Sequence, residues 1–349
     1  MTKNKEGARR PPTETDVAKL AGVSQSAVSR SFTPGASVAE NTRKKILEAA
    51  DELGYQPNLL ARSLVTNKSN IIALAISHLE NPFYAQVVKE LSEQLRATGR
   101  HILLYTTPSD QETDPALERV LSYRIDGLIL AATKASTELR LQCLKSGVPI
   151  VQINRETQLP AICTVRGENR RVGEQVAEFF LAGGHKRFAF IGGTAKSGTS
   201  RVRQEGYVDT LKAHGIDDVQ ITQGDYTFEA AALAAHSLLS WDKRPDAIFC
   251  TSDYTAFAVL DVAKRGFGLK VPQDISVVGV DDVPEASHAV YDLTTFSLPA
   301  SALVAEAIQV LDLMIENPGR RAVHREVSGE LIIRGSAKLP PNIKHIQDN

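Results

Sequence analysis

Short apolar runs alternate with longer amphipathic stretches from residue 71 to residue 333. The runs have the length of strands, and the stretches between them place apolar residues at helical spacing. The predicted strands are 71–77, 101–106, 127–131, 149–153, 187–191, 247–250, 275–280 and 325–333. The predicted helices are 83–98, 113–122, 137–146, 171–182, 200–214, 228–239, 252–265 and 301–315. This pattern predicts an α/β architecture of parallel sheets covered by helices on both faces, and so many units suit two doubly wound lobes.

The N-terminal part of the chain follows a different pattern, in which apolar residues recur at helical spacing without a strand-like run. Two short amphipathic segments are separated by Gly22, which permits a tight turn. Thr13 and Asp16 stand at capping-box positions before the first segment, and Ser24 can cap the second. A third helix is predicted over 41–53. The pattern therefore predicts a small all-α domain that contains a helix-turn-helix.

Three polar side chains occupy the outer face near the start of the second helix: Gln25, Ser26 and Arg30. Each can form hydrogen bonds with base edges, and a recognition helix reads bases from its N-terminal residues. Residues 1–45 carry nine basic and four acidic side chains, hence a net charge of +5, whereas the whole chain has −1. This local charge favours contact with phosphates.

Composition limits the class of protein. The 349 residues are 42% apolar and 23% charged, which is typical of a soluble globular chain. Cys143, Cys163 and Cys250 are scattered and form no CxxC pair, so neither a zinc site nor a disulfide framework is predicted. No apolar segment follows the first basic residues, and no run approaches the ~18 residues of a membrane span. We expect a cytoplasmic protein without a membrane partner or cofactor, with a disordered basic arm at 1–12 and a tail at 341–349.

Linked motifs along the chain carry a family resemblance. They are DVAKLAGVS at 16–24, AVSR at 27–30, LGYQPN at 53–58, ARSL at 61–64, NPFY at 81–84, DGLI at 126–129, GHKR at 184–187 and VPQDISVVG at 271–279. In this order and spacing they resemble the LacI/GalR family of bacterial transcriptional regulators over about residues 13–339.

The resemblance implies a helix-turn-helix headpiece, a hinge helix and a two-lobed effector domain like the type I periplasmic binding proteins, acting as a homodimer. The implied bounds are 13–57 for the headpiece, 58–70 for the hinge helix and linker, and 71–340 for the effector domain. An N-lobe would comprise 71–167 and 299–327, and a C-lobe 168–297 and 329–340. The implied crossings between the lobes lie near 166–169, 297–299 and 327–330.

The resemblance also implies how duplex DNA is read. Gln25, Ser26 and Arg30 would read a half-site in the major groove, and two headpieces would read a pseudo-palindromic operator. Leu64 matches the family's hinge leucine, which wedges into the minor groove, and Arg62 would contact a phosphate or the groove. Without the family resemblance, we would favour the interpretation of Leu64 as a linker residue packed on the effector domain.

Two departures from the family pattern lie in the headpiece, and a third observation concerns the end of the chain. Ala39 replaces the usual capping Ser or Thr before the third helix, which weakens that helix start by ~1 kcal/mol. Ser31 and the segment 33–35 replace the usual turn after the recognition helix, which leaves the geometry of this loop open. The end of the chain has no heptad pattern, so a tetramerising coiled coil is not predicted.

Side chains that follow the predicted strands are candidates for a ligand crevice, because ligands of such folds bind beyond the carboxyl ends of the strands. The candidates are Phe83, Tyr84, Asn154, Arg203, Tyr226, Ser252 and Asp281. Hydrogen-bonding forks next to aromatic faces suit a small sugar or sugar phosphate. The resemblance implies that Arg203 and Asp281 match the family's most constant ligand contacts. Arg155, Arg201 and Asp253 are interpreted as structural.

The predicted mechanism is allosteric control of operator binding by the effector, and the sequence does not decide whether the effector releases or recruits the protein. Two other functions are alternatives to this interpretation. A sugar-binding receptor would require export, which the missing signal segment disfavours. An enzyme acting on sugars would rest only on carboxylates such as Asp281 and Asp282, without a nucleophile motif, phosphate loop or metal-ligand cluster.

Overall fold

The computed structural model describes residues 10–33, 35–56, 68–106, 119–133, 136–155 and 162–341. The chain divides into two compact units, Met1–Ser69 and Asn70–Asn349. None of the helices in the described ranges is long and apolar enough to cross a membrane.

The described part of the first unit contains three helices. Its helices are α1 (Glu14–Ala21), α2 (Gln25–Ser31) and α3 (Glu40–Leu53). Val17, Val28 and Ile46 contribute one fully buried side chain from each helix. The rings of Phe32 and Tyr55 pack beside this core with their centroids 5.7 Å apart. The helix-turn-helix predicted from the sequence is therefore present.

Local hydrogen bonds fix the ends of these helices. The backbone N–H and the hydroxyl of Thr13 donate to the Asp16 carboxylate at 2.9 and 2.7 Å, and they hold the pKa of Asp16 below its ordinary value. Gly22 ends α1 in the left-handed conformation, and the Ser24 hydroxyl accepts from the N–H of Ala27. Ala39 gives α3 no side-chain cap, as its sequence position predicts.

The second unit contains two six-stranded sheets within the described residues. The strands are β1 (Ile71–Ile76), β2 (His101–Thr106), β3 (Gly127–Ala131), β4 (Ile150–Ile153), β5 (Cys163–Gly167), β6 (Phe188–Gly192), β7 (Val219–Gln223), β8 (Ala247–Cys250), β9 (Ser276–Asp281), β10 (Thr294–Ser297), β11 (His324–Val327) and β12 (Leu331–Ile332). The sheet of the N-lobe has the order β11-β5-β4-β3-β1-β2 and is parallel throughout. The sheet of the C-lobe has the order β12-β10-β9-β8-β6-β7, and only its edge strand β12 is antiparallel.

Helices of this unit lie between the strands in sequence. They are α4 (Pro82–Ala97), α5 (Thr137–Ser146), α6 (Asn169–Ala182), α7 (Gly198–Ala213), α8 (Phe228–Leu239), α9 (Asp253–Asp261) and α10 (Ala300–Glu316). A single π-helical turn, Val262–Gly266, continues α9. The doubly wound parallel architecture predicted from the sequence is confirmed.

Some predicted elements were wrong or missing. The single strand predicted over 325–333 is two strands in different sheets, because the chain changes lobe between β11 and β12. Strands β5, β7 and β10 were not predicted, since their sequences mix polar with apolar residues. The end of the helix predicted over 113–122 is the 3-10 turn Arg119–Tyr123, and residues 113–118 lie outside the described ranges.

Glycines allow the segments that connect the two sheets to pack closely. A Cβ on Gly167, at the end of β5, would lie 2.5 Å from Cδ2 of Leu298. A Cβ on Gly329, between β11 and β12, would lie 1.9 Å from the carbonyl oxygen of Ser297. Ser297 is the last residue of β10 and Leu298 follows it, so all three connections meet in one packed joint.

Two further glycines bring α6 and α7 into backbone contact. A Cβ on Gly173 would lie 2.1 Å from the carbonyl oxygen of Arg203, and one on Gly206 would lie 2.2 Å from that of Arg170. Because these neighbours are backbone atoms, they cannot rotate away. The contact therefore fixes α7, and with it Arg203, against α6.

We predict that Gly206→Ala lowers the free energy of unfolding by about 1–3 kcal/mol, because the added methyl group forces the two helices apart. Gly266→Ala is the matched control, since its Cβ would meet only Cγ1 of Val262 at an ordinary 3.7 Å. That change should be neutral or slightly stabilising. Urea denaturation measures both, and equal effects of the two changes would contradict the close helix contact.

Candidate functional site

The three predicted base-reading side chains lie exposed on α2. The Gln25 amide donates to the Glu14 carboxylate at 3.3 Å, and the Ser26 hydroxyl lies 3.0 Å from that of Ser24. Nε of Arg30 donates to the carbonyl oxygen of Ser26 at 3.2 Å. These contacts with exposed neighbours leave all three side chains on the solvent-facing side of the helix, where a DNA groove can be approached.

Arg43 fixes the loop after α2, where the sequence departs from the family pattern. Its Nη1 donates to the carbonyl oxygen of Ser31 at 2.6 Å and its Nη2 to that of Ala36 at 3.0 Å. The sequence reasoning had counted Arg43 only as a positive charge. The predicted hinge residues Arg62 and Leu64 lie outside the described residues.

A crevice between the two lobes brings the predicted effector residues together. It has about 840 Å³ of empty space, counting the part that is open to solvent. All seven candidates line it: Phe83, Tyr84, Asn154, Arg203, Tyr226, Ser252 and Asp281. The sequence reasoning missed several further lining residues, among them His78, Thr133, Lys196, Thr199 and Thr251. Thr251 directly follows β8, and His78 and Thr133 come two residues after β1 and β3, which is the signal that could have found these three.

The guanidinium of Arg203 is buried at the C-lobe side of the crevice, with a residue exposure of 2%. Its Nε donates to Oδ1 of Asn169 at 3.0 Å, and its Nη1 donates to the carbonyl oxygen of Thr251 at 2.5 Å. Its Nη2 has no hydrogen-bond partner in the protein. A buried cationic donor without an acceptor is costly, so this nitrogen is suited to a ligand oxygen.

Buried polar atoms of other residues that line the crevice also have no hydrogen-bond partner in the protein. Eight buried side-chain N or O atoms in the described part of the chain have no hydrogen-bond partner, and four belong to residues that line the crevice. The four are Arg203 Nη2, Asn154 Oδ1, Thr133 Oγ1 and Thr251 Oγ1. Each unpaired group costs about 1–3 kcal/mol. Their concentration at one place marks a site for a ligand with several hydroxyl or similar groups.

Asp281, the last residue of β9, and Asp282, which follows it, have positive φ angles of 120° and 56°. Asp281 is buried in the crevice, and burial raises its pKa to about 7 against the opposing effect of Arg203. Asp282 instead accepts from Nη2 of Arg334 at 2.7 Å. The strained backbone thus directs two successive carboxylates to different partners.

Two residues next to the crevice have mainly structural contacts. The buried Asp253 carboxylate accepts from the hydroxyl of Thr295 at 2.5 Å and the N–H of Val283 at 2.9 Å. The Ser252 hydroxyl accepts from the N–H of Thr255 and caps α9. Asp253 therefore has the contacts of the structural residue that we predicted, and a ligand contact of Ser252 would compete with its capping bond.

Aromatic side chains close the crevice from both lobes. Tyr226 lies against Gly193, where a Cβ would come within 2.0 Å of its ring, and its hydroxyl lies 2.9 Å from that of Ser197. Its ring centroid is 6.2 Å from that of His78 in the N-lobe. The rings of Phe83 and Tyr84, at the start of α4, pack edge to face at 5.3 Å. The flat apolar faces of such rings suit a sugar or a base.

The arginines taken as structural differ in position. Arg155 lines the crevice, and its Nη1 donates to the carbonyl oxygen of Ala132 at 2.9 Å. Arg201, on the exposed side of α7, pairs with Glu205 at 2.6 Å. The Thr199 hydroxyl donates across the crevice to the carbonyl oxygen of Asn154 at 3.2 Å.

Two family profiles match the two units of the chain. "Bacterial regulatory proteins, lacI family" matches residues 13–58, and "Periplasmic binding proteins and sugar binding domain of LacI family" matches residues 69–336. The chain therefore belongs to the LacI family of bacterial regulatory proteins, and it is a DNA-binding transcriptional regulator with a domain of the sugar-binding type.

Individual relatives extend over nearly the whole chain. The ribose operon repressor of Escherichia coli is 33% identical over 330 residues, which are 93% of this chain and 99% of the relative. The transcriptional repressor PurR of Photobacterium profundum is 31% identical over 327 residues, 93% and 98% of the two chains.

Solved structures agree with this assignment. The complex of the transcriptional regulator CelR with cellobiose is 28% identical, with a TM-score of 0.69 over 93% of this chain and 100% of that one. The lac repressor dimer bound to operator and the anti-inducer ONPF shares the fold, with a TM-score of 0.83 at 24% identity over 94% of this chain and 99% of that one.

The raised pKa of Asp281 predicts a pH dependence of stability. Protonation favours the folded state, so this contribution is complete below the ordinary aspartate pKa of about 3.9 and is lost as the pH rises through about 7. The free energy of unfolding should therefore fall between about pH 4 and pH 7 and level off above that. Asp281→Asn should flatten this fall, as urea denaturation across the range would show. Asp242→Asn, at an exposed carboxyl group, controls for the lost charge, and an unchanged slope in Asp281→Asn would contradict the assignment.

Proposed function

We propose that this protein is a repressor whose homodimer binds a pseudo-palindromic operator, and whose operator affinity is set by a small sugar or sugar phosphate in the interlobe crevice. The observation that carries the proposal is the group of four unpaired buried polar atoms on the crevice wall. The proposal includes no catalytic step, and it places the protein in the bacterial cytoplasm, where operator DNA lies.

The DNA-binding half of the proposal assigns base reading to Gln25, Ser26 and Arg30, which lie exposed on α2. Amide and guanidinium groups form two-point hydrogen bonds with adenine and guanine, so they distinguish base pairs in the major groove. The proposal also assigns the minor-groove wedge to Leu64 and a groove or phosphate contact to Arg62, both by family resemblance.

The effector half of the proposal depends on which lobe contributes each of the four unpaired buried atoms. Thr133 Oγ1 and Asn154 Oδ1 follow strands of the N-lobe, whereas Arg203 Nη2 and Thr251 Oγ1 belong to the C-lobe. A polyhydroxylated ligand that bonds with both pairs would connect the lobes across the crevice. Phe83, Tyr84, Tyr226, Ser252 and Asp281 are assigned to the same ligand.

Such a ligand can regulate DNA binding only if it favours one arrangement of the lobes. A shift from 1:99 to 99:1 needs ~5.5 kcal/mol of differential affinity. Several hydrogen bonds of about 0.5–1.5 kcal/mol each, made in only one arrangement, supply a large part of that. The geometry supports regulation without fixing whether the ligand releases or recruits the repressor.

We predict that effector binding requires Arg203. A thermal-shift screen of full-length protein against sugars, sugar phosphates and nucleosides should identify stabilising ligands, and Arg203→Ala should abolish the shift because it removes the buried donor. Arg203→Lys keeps the positive charge but loses the planar guanidinium group with its paired N–H donors. This variant should therefore show little of the ligand-induced thermal shift.

The matched control is Arg201→Ala, which removes an exposed arginine of the same helix that pairs with Glu205. It should leave the ligand shift unchanged. A shift that survives in Arg203→Ala, or that is lost equally in Arg201→Ala, would show that the effector is bound elsewhere.

We predict that Arg30→Ala weakens operator binding by about 1–3 kcal/mol and broadens the preference for base sequence. An operator selected from random duplexes and titrated by fluorescence anisotropy at several salt concentrations measures both effects. Lys45→Ala removes an exposed positive charge from α3 and should leave the sequence preference unchanged. Equal loss of affinity for operator and random duplex in Arg30→Ala would exclude a base-reading role.

A further inference from the structure

Positive charge exceeds negative charge along the crevice. Among its described lining residues, Arg155, Lys196 and Arg203 are cationic and Asp281 is the carboxylate. A site for a ligand with only neutral hydroxyl groups does not need an excess of positive side chains, because uncharged donors and acceptors can bind such groups. The excess indicates that the ligand itself contributes negative charge.

Lys196 lies at a position where the local electrostatics of the fold disfavour a positive charge. It directly precedes Ser197, the N-cap of α7, and so adds a positive charge at the positive end of the helix dipole. The first turn of α7 contains no acidic residue. Among the described residues no carboxylate lies within ion-pair distance of Lys196, in contrast to Arg201, which pairs with Glu205. A local conflict of this kind is characteristic of a functional position.

The start of α7 also presents hydrogen-bond donors to the crevice. Ser197 accepts from the N–H of Ser200, which leaves the N–H groups of Gly198 and Thr199 without an acceptor inside the helix. Such a helix end binds phosphate or carboxylate groups through its N–H donors and its dipole. Ser197 and Thr199 both line the crevice.

A second observation, independent of the helix end, marks the same place. Arg203 lies on the second turn of α7, is almost completely buried, lines the crevice, and has no hydrogen-bond partner for its Nη2. A buried guanidinium nitrogen without a partner is best satisfied by an anionic oxygen, because charge-assisted hydrogen bonds are the stronger kind. Arg155 faces the crevice from the N-lobe and adds positive charge on the opposite wall.

We infer that the effector carries an anionic group, a phosphate or a carboxylate, which binds at the N-terminus of α7 between Lys196 and the unpaired nitrogen of Arg203. Hydroxyl groups of the same ligand then meet Asn154 and Asp281, which line the same crevice. This inference rests on the proposed function, which it makes more specific, because an uncharged sugar would satisfy that proposal equally well.

The test compares anionic ligands with their neutral parents on full-length protein by isothermal titration calorimetry. The series contains ribose and ribose 5-phosphate, then glucose, glucose 6-phosphate and glucuronate, with inorganic phosphate alone as a reference. We expect an anionic member to bind at least about tenfold more tightly than its neutral parent. Preference for the phosphate ester over glucuronate, or the reverse, identifies which anionic group the site accepts.

Variants connect that preference to the proposed position. Lys196→Gln should reduce the anionic preference to about threefold or less while changing the affinity for the neutral parent little. Lys196→Arg should retain the preference. Lys212→Gln, at the opposite end of α7, is the matched control for the loss of one lysine and should retain it as well.

The outcomes separate this inference from the proposed function. Equal binding of anionic and neutral members, loss of both in Lys196→Gln, or no binding by any member would overturn the anionic assignment. The proposed function is tested separately in the same samples by selective binding of operator over random duplex, and it survives if a neutral sugar alone alters operator affinity.

Discussion

The guanidinium of Arg203 is held at two nitrogens by Asn169 and the Thr251 carbonyl, and its third nitrogen has no partner in the protein. This arrangement exists because the glycines of α6 and α7 let the two helices meet at backbone distance. The fold thus uses close packing to hold a buried cation at the crevice wall. The cost of the unpaired nitrogen is offset when a ligand supplies an acceptor, so packing in the C-lobe leads directly to a binding preference.

The same reasoning extends across the crevice. Unpaired polar atoms lie on both lobes, and a hydrogen bond from Thr199 to the Asn154 carbonyl already joins them. The glycine-lined joint near Gly167 and Gly329 connects the two sheets at three closely packed segments. A ligand that pairs atoms of both lobes therefore stabilises one arrangement over another, which is the requirement for allosteric control. In the first unit, hydrogen bonds at Thr13 fix the start of α1, and those of Arg43 fix the end of α2, the helix that carries the proposed base-reading side chains.

Sequence patterns predicted the architecture and the crevice well because both follow from simple periodicities. Alternating runs specify strands and helices, and strand ends specify where crevice-lining residues such as Asn154 and Asp281 meet. Strand β10 was not predicted because buried threonines and a serine interrupt its apolar pattern. The change of lobe at Gly329 does not alter the pattern of apolar and polar residues, so that pattern did not separate β11 from β12. Lys196 was missed because its significance depends on the lack of an acidic partner among the residues that the structure describes, and the spatial neighbours of a side chain are not visible in one dimension.

The most direct test of the account is thermodynamic coupling between the crevice and the DNA-binding surface. The tightest-binding member of the sugar series is titrated into the protein alone and into its complex with a selected operator. Coupling of 1–3 kcal/mol is typical of allosteric proteins, so the two dissociation constants should differ by about 5-fold to 150-fold, and the operator's dissociation constant should change by the same factor when the sugar is saturating. Identical constants with and without operator, for a sugar whose binding requires Arg203, would contradict the account.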